Sequence, residues 1–193
     1  ANNDWTEVDG KRYYVRDGEI LSYCVAEIDG VYYGFGDGNL YVDESFENGG
    51  FYFRAKADGT LYVNEWYEEK SAYYHEKWYY GNDGKAVEGL YDIDGKQYYF
   101  ERGYRGCFLC WNEIVKSEDD KYYYCSAEGV ATELVKNSWT EVDGKRFYVK
   151  GRVLIKNCIR KIDGFYYGFN SEGVMYCDND FWFSKNGQAG WYR

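Results

Sequence analysis

The chain has 193 residues and a formal net charge of −10, and 22% of its residues are Phe, Trp or Tyr. Its lysines and arginines are scattered singly, whereas phosphate binding needs a concentrated basic face, so we expect no nucleic-acid partner. No run of about 18 apolar residues is present, so we expect no membrane insertion.

The composition favours strands over helices. Aromatic side chains suit half-buried strands, and the 23 glycines supply the positive φ angles of tight turns. The sequence therefore predicts an all-β protein. It begins at Ala1 without an initiator Met or an apolar signal region, so we expect a mature chain or a fragment of a longer one.

A short unit recurs along the chain. Residues 5–15 return as residues 139–149 with one difference, Tyr13 against Phe147. Residues 28–35 return as residues 162–169, also with one difference, Val31 against Phe165. Weaker copies lie at residues 47–53, 77–85, 93–100, 120–124 and 181–187. Most copies place Asp-Gly or Asn-Gly beside short aromatic or β-branched runs, which is a strong β-hairpin signal. The repeat predicts about nine hairpins of roughly twenty residues each.

A lone hairpin is marginal in water, so the units must stack to bury their aromatic faces. This predicts an all-β solenoid of stacked β-hairpins that forms a single repeat domain over residues 1–193. Two stretches, near residues 65–76 and 112–120, break the spacing. We interpret both as loop insertions, which in repeat proteins often meet ligands, although simple surface drift explains them as well.

Two segments carry a family resemblance. Residues 77–89, KWYYGNDGKAVEG, and residues 183–191, FSKNGQAGW, resemble the cell-wall-binding repeat of Gram-positive bacteria. This family includes choline-binding modules, glucan-binding repeats and the receptor-binding repeats of clostridial toxins. The resemblance implies a superhelix with about three hairpins per turn and ligand pockets between successive hairpins. It also implies a secreted or bacterial cell-surface location.

The choline-binding branch surrounds a quaternary ammonium with two Trp residues and an aromatic residue of the next hairpin. Alignment with that branch places Arg12, Gln97 and Arg146 where the first aromatic of Trp-Tyr-Tyr belongs, so only Trp78 keeps the indole. Since arginine repels a cation, the expected ligand is instead a polysaccharide or cell-wall polymer of glucan or teichoic-acid type. Host glycans are a further candidate. Aromatic faces stack on sugar rings, and polar neighbours bind the hydroxyls.

The candidate ligand-binding residues are the tryptophans and one tyrosine. They are Trp5, Trp66, Trp78, Tyr80, Trp111, Trp139, Trp182 and Trp191. Among them, Trp5, Trp111 and Trp139 hold the position of the family's Gly-Trp. A second set of tyrosines is predicted to occupy equivalent places in the repeat and to pack one hairpin on the next, because large apolar side chains are mostly core. These are Tyr14, Tyr33, Tyr99, Tyr148 and Tyr167.

The sequence offers little for catalysis. His75 is the only histidine, and no Ser or Cys nucleophile is patterned around it. The carboxylate pair of a glycosidase cannot be excluded by spacing, but most Asp residues fall in predicted turns. We therefore expect neither enzymatic activity nor a cofactor.

The six cysteines do not form a metal motif. Cys107 and Cys110 have the spacing of half a zinc site, and the second closely spaced pair is missing, so no metal site is predicted. Cys24 and Cys158 occupy the same place in the duplicated units, where we expect small buried hydrophobic residues.

These patterns together predict a non-catalytic cell-wall or carbohydrate-binding repeat module of a secreted or surface bacterial protein. The alternatives are a structural spacer or protein-interaction solenoid with degenerate pockets, and a choline-binding module.

Overall fold

The computed structural model describes residues 3–72, 75–104 and 106–176. Within them the chain forms eight β-sheets, each built on one hairpin, and no helix. Among these residues no helical segment therefore has the length and apolar character that spanning a bilayer requires. The predicted all-β fold of hairpin repeats is confirmed, while the ninth predicted unit, at residues 181–187, lies outside the described residues.

The strands follow one another without long gaps. The first nine are β1 Asp4–Val8, β2 Lys11–Arg16, β3 Glu19–Ile20, β4 Cys24–Ile28, β5 Val31–Phe35, β6 Ser45–Asn48, β7 Phe51–Arg54, β8 Glu65–Lys70 and β9 His75–Tyr80. The others are β10 Gly89–Ile93, β11 Lys96–Gly103, β12 Gly106–Leu109, β13 Glu113–Lys116, β14 Tyr122–Cys125, β15 Ala131–Leu134, β16 Trp139–Val142, β17 Lys145–Lys150, β18 Val153–Leu154, β19 Cys158–Ile162 and β20 Phe165–Phe169. Hairpins start about every twenty residues, as the repeat predicted.

The Asp-Gly turns form as the sequence predicted. Asp9 and Gly10 both have positive φ, 51° and 73°, which is the geometry of a two-residue type I′ turn. This turn twists in the same sense as the strands, so it sets the register in which Val8 faces Lys11. Five later Asp-Gly pairs also have positive φ at both residues and join adjacent strands, at residues 17–18, 29–30, 94–95, 143–144 and 163–164.

Both predicted loop insertions are wrong, because each stretch contains a paired strand. In the first, Glu65–Lys70 pairs with His75–Tyr80 over six residues. In the second, Glu113–Lys116 pairs with Tyr122–Cys125. The connections at residues 71–74 and 117–121 contain no glycine, so the turn signal that marks the other hairpins is missing.

The chain forms two compact units. The first comprises residues 1–88 and 100–109, and the second comprises residues 89–99 and 110–193. The assignment of residues 1–193 to a single repeat domain stays a prediction.

Backbone hydrogen bonds tie several hairpins to the one before. In the first unit, the Leu40 amide donates to the Arg12 carbonyl at 2.8 Å, and the Ala86 amide donates to the Tyr52 carbonyl at 2.8 Å. In the second unit, the Met175 amide donates to the Arg146 carbonyl at 2.8 Å. Each donor follows a hairpin, and each acceptor lies on the second strand of the preceding hairpin. These bonds hold the backbone at positions 12, 52 and 146.

The tyrosines predicted to be equivalent fall into two positions. Tyr14 and Tyr148 are buried, whereas Tyr33 and Tyr167 are half-buried. Trp5 pairs with Tyr14 across the first hairpin, and the residue that takes the place of Tyr14 in the next hairpin is Gly34. The prediction of one shared position is therefore wrong for Tyr33 and Tyr167, which lie one residue before the position that Tyr14 occupies in its hairpin. Tyr14, Tyr33, Tyr148 and Tyr167 nevertheless all lie in or against the hydrophobic core.

Gly34 leaves room for a ring of the following hairpin. A Cβ atom at this position would lie 2.1 Å from Cζ of Phe46. Phe46 itself is held between Tyr41 and Phe53, with ring centroids 4.1 and 5.4 Å away, so it has little freedom to retreat.

We expect Gly34→Ala to lower the free energy of unfolding by about 1–3 kcal/mol, because it overpacks this contact. The measurement is a urea titration followed by circular dichroism. Val31→Ala is the control, since it alters an exposed residue of the same strand. Equal midpoints for Gly34→Ala and Val31→Ala would show that the contact between hairpins is not tight.

Candidate functional site

Trp5 lies in a ring of aromatic residues drawn from two successive hairpins. Its indole meets Tyr14 of its own hairpin edge to face at 5.1 Å and Tyr33 of the next hairpin edge to face at 4.9 Å. Phe35 lies 6.0 Å away. Edge-to-face contacts of this kind stabilise by about 0.5–1.5 kcal/mol beyond their buried area. The indole therefore helps to join two hairpins.

The same arrangement recurs in the second unit around Trp139. Its indole lies 5.1 Å from Tyr148, 4.7 Å from Tyr167 and 5.9 Å from Phe169. A third copy, in the first unit, surrounds Trp66, which lies 5.1 Å from Tyr79 and 5.8 Å from Phe100. We call the surroundings of Trp5, Trp66 and Trp139 the indole cages. They belong to the first, fourth and seventh hairpins.

Each indole cage is covered by a cation of its own hairpin. The guanidinium of Arg12 lies 4.5 Å from the Trp5 ring centroid, and that of Arg146 lies 4.8 Å from the Trp139 centroid. The ammonium of Lys77 lies 4.5 Å from the Trp66 centroid. Such cation–π contacts are worth about 0.5–1 kcal/mol at exposed sites. The indole face that would attract a free quaternary ammonium is thus already in contact with a cation.

A glutamate faces each of these cations across the hairpin. Glu7 pairs with Arg12, Glu68 with Lys77, and Glu141 with Arg146, always two residues after the tryptophan. The Glu141 carboxylate lies 4.0 Å from Nε of Arg146. The sequence signal for a covered cage is therefore Trp-x-Glu on the first strand with Arg or Lys opposite the glutamate, a pattern that the sequence analysis missed.

The strand register corrects the role predicted for Trp78. Lys77, and not Trp78, stands at the position of Arg12, so Trp78 does not keep the indole of a choline box. Trp78 is only 4% exposed and packs on Tyr67 and Phe108, with ring centroids 5.3 and 5.2 Å away. Its role is mainly in the core.

Two other predicted residues also lie away from the indole cages. Tyr80 is buried, and burial raises the pKa of its hydroxyl far above the usual range. Trp111 is half-buried in the connection between β12 and β13, and Ile114 instead stands at the position of Trp5. The predicted equivalence of Trp111 with Trp5 and Trp139 is therefore wrong. Trp182 and Trp191 lie outside the described residues.

An open groove lies in the first unit where the tryptophan of a cage is missing. Ser45 pairs with Arg54 in the register in which Trp5 pairs with Tyr14, and a cavity of about 570 Å³ lies beside it. We call this cavity the acidic groove. Its lining residues are Asp43, Glu44, Ser45, Phe46, Glu47, Tyr52, Arg54, Tyr67, Glu69 and Trp78. Four of these residues are acidic and one is basic.

Arg54 is fixed within the acidic groove. Its Nη2 donates to the carboxylate of Asp43 at 2.6 Å, and its guanidinium lies 4.7 Å from the Tyr67 ring centroid. The side chain is 14% exposed, so the planar guanidinium is held with little freedom. The groove thus combines aromatic rings with fixed polar groups.

A second groove lies in the second unit, beside Ile114. Ile114 pairs with Tyr124 in the same register, and the cavity measures about 310 Å³. We call it the lysine groove. Its lining residues are Asn112, Glu113, Ile114, Lys116, Tyr122, Tyr124, Lys145, Phe147, Leu154, Lys156, Ser171, Glu172 and Val174.

The described residues contain no cluster of three or more His, Cys, Asp or Glu side chains with the geometry of a metal site. Nε2 of His75 lies 2.5 Å from the Glu68 carboxylate on the facing strand, which accepts the hydrogen bond. The cysteines at residues 24, 107, 110, 125 and 158 are free thiols. Cys24 is half-buried and Cys158 is exposed, so the prediction that Cys158 is buried is wrong.

The geometry defines a tandem β-hairpin repeat in which aromatic residues lie between successive hairpins. No family model and no curated protein sequence matches the chain. Solved structures do match. Choline-binding protein F of Streptococcus pneumoniae has 18% identity and a TM-score of 0.56, over 100% of this chain and 81% of that one.

A second similar structure is the modular autolysin LytC of Streptococcus pneumoniae. The identity is 20% and the TM-score is 0.51, over 95% of this chain and 41% of that chain. Choline-binding protein F in the presence of a peptidoglycan analogue, a tetrasaccharide-pentapeptide, also matches, with 18% identity and a TM-score of 0.54. The chain therefore has the fold of the choline-binding, cell-wall-binding repeat proteins.

The covered indole cages generate a prediction for choline. We expect choline to leave the indole N–H signals of Trp5, Trp66 and Trp139 unchanged in 1H–15N spectra, because cations of the chain already cover these rings. Arg12→Ala should make the Trp5 signal alone respond. Lys11→Ala, which removes an exposed cation of the same strand, is the control. A saturable response of Trp5 in the unsubstituted protein would contradict this account.

The thiols generate a second prediction. Burial raises the pKa of Cys107 to about 11, so about one thiol in a thousand is ionised at pH 8. We expect iodoacetamide at pH 8 to modify the exposed Cys158 well before Cys107 and the fully buried Cys125. Peptide mass spectrometry over time measures each site. Equal rates at Cys107 and Cys158 would contradict the burial of the first.

Proposed function

We propose that the chain is a non-catalytic cell-wall-binding module of a secreted or surface bacterial protein, and that its acidic groove binds a neutral saccharide. The observation that carries the proposal is this groove between hairpins, in which fixed polar groups stand beside aromatic rings. The likeness of the fold to choline-binding proteins, one of them studied with a peptidoglycan analogue, supports the cell-wall part.

A neutral sugar suits the chemistry of the acidic groove. Sugar hydroxyls donate to carboxylates and accept from a guanidinium, and Glu47 faces Tyr52 across the hairpin with Arg54 two residues further on. Aromatic rings bind the C–H faces of the sugar. A cavity of about 570 Å³ is large enough for a short saccharide, since ligand pockets usually measure about 300–1,000 Å³. The excess of carboxylates disfavours an anionic ligand here.

Choline fits the indole cages less well. The rings of Trp5, Trp66 and Trp139 already contact a cation of the chain, and a second cation would meet that charge. We therefore place the saccharide, and not choline, at the centre of the proposed function.

A structural spacer or protein-interaction array is the second candidate. The observation in its favour is that Trp78 and Tyr80, two of the residues predicted to bind ligand, are buried in the core. A spacer would keep these packing residues without using the grooves. Ligand titration separates the two functions.

The test is isothermal titration calorimetry of the protein with soluble peptidoglycan fragments and with neutral glucan oligosaccharides. We expect saturable binding that Tyr52→Ala weakens by about tenfold, because the loss of one aromatic contact costs about 1.4 kcal/mol. Glu47→Gln should weaken binding as well, since it removes the charge from a hydrogen-bond acceptor.

Phe51→Ala is the matched control. It removes an exposed aromatic residue from the same strand, on the opposite face from Tyr52. Affinity should stay the same in this variant. Absence of binding to every saccharide would favour the spacer, and equal losses in Tyr52→Ala and Phe51→Ala would remove the acidic groove from the account.

A further inference from the structure

The lysine groove has the opposite charge character from the acidic groove. Lys116, Lys145 and Lys156 line it against two carboxylates, Glu113 and Glu172. The whole chain carries a formal charge of −10, so the excess of cations over carboxylates in this cavity is opposite in sign to the net charge of the protein. Two grooves at corresponding hairpin positions therefore differ in the ligand charge that they favour.

Lys145 is held in place at one wall of the lysine groove. Its Nζ donates to the hydroxyl of Tyr124 at 2.7 Å and lies 4.9 Å from the ring centroid of the same residue. The side chain is half-buried. An ammonium has three donors, so two remain for a ligand after the bond to Tyr124.

The other two lysines differ in their partners. Lys116 bonds to the carboxylate of Asp120 at 2.5 Å, and Asp120 also receives Arg152 at 3.2 Å, so this carboxylate is shared between two cations. Lys156 is exposed and forms no ion pair with any residue in the described part of the chain. Of the three groove lysines, only Lys116 forms an ion pair with a carboxylate of the described residues, so Lys145 and Lys156 carry charges that none of these carboxylates pairs at short range.

We propose that the lysine groove binds an anionic group, a phosphate or a carboxylate, carried on a cell-wall polysaccharide. The proposal rests on the cell-wall binding proposed above and names the ligand chemistry of a second groove. Lysine ammonium groups bind phosphate and carboxylate oxygens as point charges. The hydroxyl of Ser171 and the amide of Asn112, which also line the groove, can bond to the sugar that carries the anion.

The size of the groove limits what it can hold. A cavity of about 310 Å³ is at the small end of the range for ligand pockets, which fits one charged sugar or one sugar phosphate better than an extended chain. The polymer would therefore place single charged units in this groove.

The test titrates the full chain with three probes, observed in 1H–15N spectra and by calorimetry. The probes are glycerol 1-phosphate, galacturonate and a neutral glucan oligosaccharide. We expect at least one of the two anions to shift the signals of Lys145, Lys156 and Ser171, and its affinity to fall as salt rises. A response to glycerol 1-phosphate alone identifies a phosphate-bearing polymer, and a response to galacturonate alone identifies a uronic-acid polymer.

Lys156→Met provides the decisive variant, because the side chain is exposed and its replacement spares the fold. We expect about tenfold weaker binding of the anion, with binding of the neutral oligosaccharide unchanged. Lys150→Met removes an exposed cation of β17 that does not line the groove, and it should bind like the unsubstituted protein.

The outcomes separate this proposal from the preceding one. If neither anion shifts the groove signals, or if Lys150→Met weakens binding as much as Lys156→Met, the lysine groove proposal is overturned. If the anions bind there and no neutral saccharide binds anywhere, the lysine groove stands and the saccharide role of the acidic groove fails.

Discussion

The structure depends on the inability of a two-stranded hairpin to bury its own aromatic face. Trp5 meets two rings of the following hairpin, Tyr33 and Phe35, and Trp139 meets Tyr167 and Phe169 at nearly the same distances. Since a lone hairpin is only marginally stable in water, each hairpin is stable only when a neighbouring hairpin covers its aromatic face. The residues that make the repeat recognisable are accordingly those that join hairpins.

The position that Trp5 occupies in the first hairpin carries different residue types in other hairpins. At the position of Trp5, other hairpins carry Val25, Ser45, Ile114 and Ile159. The backbone bonds between hairpins do not depend on that side chain, so its loss need not break the array. Both grooves described above lie beside such a replacement, Ser45 in one unit and Ile114 in the other. A smaller side chain at the position of Trp5 can therefore leave space for a ligand, although it also removes the indole cage of that hairpin.

The cations over the indoles are the second consequence of the repeat. Arg12, Lys77 and Arg146 occupy equivalent positions, and the backbone at positions 12 and 146 is fixed by a bond from a later turn. A cation held in this way contributes to packing and also blocks the indole face. The chain has the fold of the choline-binding repeat proteins, while the chemistry at Trp5, Trp66 and Trp139 differs from that of an open aromatic box.

The hairpins could be predicted where the turn chemistry is explicit. Asp-Gly pairs such as Asp9-Gly10 require positive φ at both residues, and the structure has it. The strand pairs within residues 65–80 and 113–125 were not predicted, because the connections between these strands contain no glycine and no other turn signal of comparable strength.

The candidate site was harder to predict, since it depends on register. A shift of one residue moves a side chain to the other face of a strand, and this shift separates Lys77 at an indole from Trp78 in the core. Each groove lies where the aromatic pattern is interrupted, as at Ser45, which stands at the position of Trp5. Recurring aromatic residues in the sequence therefore do not indicate the grooves.

A crystal structure of the protein soaked with both choline and a neutral glucan oligosaccharide tests the central claim most directly. The account predicts saccharide density in the groove beside Ser45, with Arg12, Lys77 and Arg146 still lying over their indoles. Choline bound against Trp5, Trp66 or Trp139, with the covering cation displaced, would contradict it.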